Sequence, residues 1–138
     1  MATGKKTTPA QVDKLIKKWQ DLLGLHHWDV LVRLVEADEL PEEDGGGWGF
    51  VRCHERYLKA WMVLAIHLPP KDVEVTVVHE FCHILSARVE TTAAAAMEEL
   101  SSQSRALMMD VLKDGCDAMS VQLQRAFMRI DRADRGSQ

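Results

Sequence analysis

The residues best suited to chemistry in this chain are His79, Glu80 and His83, in the run His79-Glu80-Phe81-Cys82-His83. Histidines four apart share one face of a helix, one turn above the other. Two imidazoles so placed can each present a ring nitrogen to one Zn2+ at about 2.0–2.1 Å. The glutamate one position after the first histidine lies off to the side of that pair. It is badly set to be a third ligand and well set to take a proton from water that zinc acidifies. The pattern therefore predicts a hydrolytic site, with His79 and His83 as metal ligands and Glu80 as general base. With six histidines in the chain, a shuffled sequence would contain HExxH only about 0.02 times. The competing reading, two core histidines bonded to backbone, must place three polar side chains on an otherwise apolar helix, which is costly.

A catalytic zinc usually takes three protein ligands and keeps one position for water. No histidine follows His83, and Ser86 and Val89 stand where the longer HExxHxxGxxH motif has glycine and histidine. The third ligand is then expected to be a carboxylate on the next helix. Glu98 is favoured by helical phase and Glu99 is the alternative; one of the two would serve the dipole of that helix instead. His67 could line the cleft, whereas His54 and Tyr57 read as surface residues of a turn. Gly45, Gly46 and Gly47 lack the lysine of a phosphate loop and suit a rim of the cleft.

The elements that must position these residues follow from pattern. Thr8, Pro9 and Gln11 form an N-cap, first helical residue and capping box. Val12, Leu15, Ile16, Trp19 and Leu22 continue a helix that Gly24 should stop. Residues 28–35, 48–54 and 58–68 read as strands, the last apolar enough to be central. Asp72 can open the helix that carries the histidines, apolar on several faces from Val73 to Val89 and ended near Thr91-Thr92. A further helix is expected over residues 93–113, closed by Asp114-Gly115, and a last one over 116–130. The fold class is thus α+β: an N-terminal helix, a small three-stranded, mainly antiparallel sheet, the HExxH helix packed on that sheet, and two C-terminal helices. One domain spans 9–130, between flexible tails at 1–8 and 131–138.

Composition narrows the function classes. The 138 residues are 46% hydrophobic and 28% charged, the balance of a globular domain, and carry a net charge of -4. That charge argues against a binder of nucleic-acid phosphates; Arg125, Arg129, Arg132 and Arg135 are offset by Asp131 and Asp134. No apolar run is long enough to span a membrane. Cys53, Cys82 and Cys116 are too few, and odd in number, for a disulfide scaffold, and fit free thiols in a cytoplasm.

In the order of its parts the chain resembles the small gluzincin-type zinc metallopeptidases, especially the compact metallopeptidase-like proteins of phages and prophages. The resemblance is carried by Leu23-Gly24-Leu25 and Trp28-Asp29 after the first helix, a short sheet, Val77-Val78 leading into the HExxH run, and Glu98-Glu99 beyond it. It covers residues 9–112, and HExxH is its specific part. It implies a zincin-like fold, a Zn2+ cofactor on His79, His83 and Glu98 or Glu99, and peptide-bond hydrolysis with Glu80 as base. It also implies a peptide or protein substrate added as a strand to the sheet edge, and a bacterial host cytoplasm as the location. Ser102 and Gln103 occupy positions where several gluzincins keep an acidic residue that steadies a zinc histidine. The alternative function is a non-catalytic, zinc-stabilised protein-interaction module with the same ligands.

Overall fold

The structure is a computed structural model, and it describes residues 6–41 and 47–137. Gly45 and Gly46 therefore lie outside the described residues, as do residues 1–5 of the expected N-terminal tail. The described elements are α1 (Pro9–Leu22), β1 (Asp29–Val35), β2 (Gly49–His54), β3 (Lys59–Ala65), α2 (Pro70–Ala96) and α3 (Ser102–Gly136), with single 3-10 turns at Ala37–Glu39 and Glu55–Tyr57. The α+β layout read from sequence is the one observed, a helix, a small sheet and then helices packed on it.

Local signals decide the first helix. The Thr8 hydroxyl accepts from the Gln11 backbone N–H, and the Gln11 side chain accepts from the Thr8 N–H. At the other end Gly24 takes a positive φ of 67°, the left-handed conformation glycine adopts without a Cβ penalty. There the Gly24 N–H donates to the Asp21 carbonyl and the Leu25 N–H to that of Gln20, the paired bonds that satisfy a helix's last carbonyls. The chain before α1 is tied down. Thr7 is buried, its N–H donates to the Ile66 carbonyl, and its hydroxyl donates to the Leu68 carbonyl.

The sheet has the order β1-β3-β2. Ala60, Met62 and Leu64 are almost fully buried on its inner face, which is why β3 takes the centre. It is a mixed sheet rather than a mainly antiparallel one. β2 runs antiparallel to β3 through a tight turn, but β1 pairs parallel to β3, with Val32 opposite Met62. A parallel pair needs a long crossover, and the segment 36–58, β2 included, supplies it. The inner face packs with Val12, Ile16 and Trp19 of α1 and with Val77, Val78 and Phe81 of α2 in one core.

The helices after the sheet differ from the expected division. α2 starts at Pro70, with Pro69 as N-cap and Asp72 in the first turn, and it runs through Thr91-Thr92 to Ala96. Threonine costs a helix only a few tenths of a kcal/mol, and the alanines that follow favour it. The two expected C-terminal helices are one, α3, which passes Asp114-Gly115 without a break. A glycine inside a helix costs about 1 kcal/mol. Here Cys116, Ser120 and Met128 bury one side of α3 beyond it and offset that cost. α3 also takes in residues 131–136, set apart as tail by the sequence; Asp131 there accepts hydrogen bonds from Lys18 and Arg135.

Candidate metal-binding cleft

α2 lies on the sheet with its buried face toward β3 and one flank along β2, while α3 folds back along it as a helical hairpin. The groove between β2, α2 and α3 is a cavity of about 720 Å3. Gly49, Val51 and Cys53 wall it on the strand side, and Cys116 and Asp117 on the α3 side. His79, Glu80 and His83 all open into it. The three residues that sequence reasoning singled out first are thus brought together.

The histidines approach as the helical spacing requires. Their Nε2 atoms are 3.2 Å apart, with rings nearly perpendicular at 75°. Two nitrogens at 2.0–2.1 Å from a shared tetrahedral zinc stand about 3.3 Å apart, so the pair already has the length of one edge of such a site. Burial, then the neighbouring His83, holds the His79 imidazole below its ordinary pKa, and Asp117 partly opposes this. His79 is therefore neutral at pH 7, the form that donates a lone pair to metal.

Glu80 is buried, at 4% exposure, between the helix and β2. Its charge contributes to pushing the Cys53 thiol up to about 12, after burial and Glu90, and the Cys82 thiol up to about 12, after burial. All three cysteines are free thiols. Glu90, two turns beyond His83 on α2, accepts a hydrogen bond from the Ser86 hydroxyl at 2.8 Å and has the Cys116 thiol as a second partner.

The structure does not bring Glu98 or Glu99 to the histidines. Because α2 continues to Ala96, it carries both glutamates past its end, about 20 Å along the axis from His83 at 1.5 Å per residue. There they are exposed in the turn between helices, and the Glu98 carbonyl accepts from Arg105. The carboxylate that meets the pair is Asp117 of α3, whose Oδ1 lies 3.5 Å from His83 Nε2. Sequence reasoning missed it because the break expected at Gly115 put Asp117 on a separate helix. The usable signal was hairpin symmetry. Two continuous helices that turn near residue 100 place His83 and Asp117 level with each other, each seventeen residues from the turn. Among the described residues no three His, Cys, Asp or Glu side chains already converge as a complete metal-binding group, since Asp117 meets one imidazole of the two.

The lesser candidates lie elsewhere. His67 is on the surface, 3.0 Å from Glu36. His54, the last residue of β2, lies against the ring of Tyr57 in the turn that follows, and Tyr57 is 63% exposed. Of the tryptophans, Trp19 and Trp28 are core, Trp48 walls the cleft, and Trp61 stands exposed on the outer face of the sheet. No helix among the described residues is long and apolar enough to cross a membrane. Comparison with family models, with curated proteins and with solved structures gives no match.

Proposed function

We propose that this chain is a zinc-dependent peptidase whose metal sits on His79 and His83. One observation carries the reading: two imidazole nitrogens 3.2 Å apart open into a 720 Å3 cleft, with a buried carboxylate one residue along the same helix. Zinc in such a position supplies Lewis acidity, lowering the pKa of water to near 7 and polarising a carbonyl oxygen. Glu80 accepts the proton that water loses as its oxygen attacks the carbonyl, then delivers that proton to the departing amine. A peptide is presented in extended form by the open edge of β2, which pairs with β3 on its other side.

Glu80→Gln tests the reading, because it keeps the side chain's size but accepts no proton. The zinc-loaded wild type should cleave a peptide library or casein. The variant should retain zinc at one per chain and lose cleavage by at least the 10²-fold typical of a general base. Equal cleavage by the two proteins would remove Glu80 from the mechanism. Zinc-dependent folding with no cleavage by the wild type would favour the interaction-module alternative.

A further inference from the structure

Resting on the proposal that His79 and His83 hold a zinc ion, we propose that Asp117 of α3 is the third protein ligand, in the place where sequence pattern put Glu98 or Glu99. The site then spans two helices, and the metal fastens α3 to α2 at the middle of their hairpin.

The carboxylates that open into the cleft are Glu80, Glu90, Asp110 and Asp117. Glu80 follows His79 directly, lies on the strand side and serves the proton. Glu90 is about 10 Å beyond His83 along α2, and Ser86 and Cys116 hold its oxygens. Asp110 is two turns before Asp117 on α3, again about 10 Å away. Asp117, by contrast with Glu90 and Asp110, is level with the histidines and has an oxygen within 4 Å of an imidazole nitrogen. Its distance matches what a ligand needs. An oxygen at 2.0–2.2 Å and a nitrogen at 2.0–2.1 Å on one tetrahedral zinc are about 3.4 Å apart, and Asp117 Oδ1 lies 3.5 Å from His83 Nε2. Two edges of a tetrahedron, 3.2 and 3.5 Å, thus meet at His83. A third edge, from Asp117 to His79, would require the Asp117 side chain to rotate, and that side chain is 52% exposed. Two imidazoles and one carboxylate would reduce the ion's charge to +1 and make up the three protein ligands usual for a catalytic zinc.

The experiment separates a ligand from a neighbour that only orients His83. Metal-free wild type, Asp117→Ala, Asp117→Cys, His83→Ala and the double variant Glu98→Gln/Glu99→Gln are titrated with Zn2+ against a chromophoric chelator, and with Co2+ by absorption. Asp117→Ala should bind zinc at least 10-fold more weakly, since losing a ligand costs no less than losing its supporting hydrogen bond. The double glutamate variant should match wild type. Asp117→Cys with Co2+ should gain the near-ultraviolet charge-transfer absorption of a cobalt–thiolate bond, absent in the wild type despite its neighbouring Cys116. Absence of that band, or wild-type zinc affinity in Asp117→Ala, overturns the assignment. If His83→Ala abolishes binding while both Asp117 variants leave it unchanged, Asp117 alone is wrong. If wild type binds no zinc, the histidine pair is wrong with it.

Discussion

At Gly49 the backbone of β2 lies close against its neighbours, and replacing it by alanine should loosen the wall of the cleft. A methyl group there would sit 2.7 Å from Leu64 Cδ2, 2.8 Å from the Val63 carbonyl oxygen and 3.3 Å from Thr76 Cγ2. Leu64 is 1% exposed and the Val63 oxygen belongs to the central strand, so neither gives way freely. Overpacking of this kind costs about 1–3 kcal/mol, and the lower entropy of the unfolded alanine chain returns about 0.4–1 kcal/mol of it. The net loss should be about 1–2 kcal/mol, a fall in Tm of roughly 3–8 °C for a chain this size. Gly115→Ala is the matched control. It lies in an exposed stretch of α3 with nothing within 4 Å of the added carbon. An exposed helical glycine replaced by alanine should stabilise by about 0.5–1 kcal/mol, raising Tm by about 2–4 °C. Urea and thermal unfolding followed by circular dichroism read both. A neutral Gly49→Ala, or shifts of the same sign in the two variants, would refute the packing argument.

Asp131 gives a pH dependence. Burial pulls its carboxyl upward, but hydrogen bonds and charge from Lys18 and Arg135 outweigh this and hold it below its ordinary value. Its contribution is therefore complete above about pH 4 and lost as pH falls through the lowered folded value, so the Tm gap between wild type and Asp131→Asn should shrink on acidification from pH 6 to pH 3. Cys53, pushed up to about 12 by burial, Glu90 and Glu80, should alkylate at pH 8 about 10³-fold more slowly in the folded protein than a free thiol does; peptide mass spectrometry after iodoacetamide treatment reads this, and labelling at the free-thiol rate would contradict it.

What was legible in the sequence was what neighbours along the chain decide. Thr8, Pro9 and Gln11 act within one turn, Gly24 acts on the residues just before it, and His79 and His83 meet through helical spacing alone. The central place of β3 followed from its apolar run. What was not legible depends on partners far along the chain. Gly115 is a local breaker that the burial of Cys116, Ser120 and Met128 beyond it offsets, and Thr91-Thr92 is a weak one that the alanines after it outweigh. The parallel pairing of β1 with β3 is set by which strand claims the middle of the sheet, and alternation within β1 carries no sign of it. Asp117 escaped for the same reason: its place beside His83 depends on two helices being continuous, and misreading either one moves it away.

The hairpin of α2 and α3 has one further consequence, for how protection against hydrogen exchange should vary along it. Near the sheet, Val77, Val78 and Phe81 are fully buried, so their amides should exchange only when the whole domain opens. Toward the turn the support thins. Every residue from Ser101 to Val111 is exposed, with Leu107 at 65% and Val111 at 61%, and helical segments this short hold together weakly without packing. Amides there should open by fraying, far more cheaply than global unfolding. His83 and Asp117 sit at the boundary between the two regimes. An ion shared between them would move that boundary outward, so zinc should slow exchange in the middle turns of both helices together while the outermost turn stays fast.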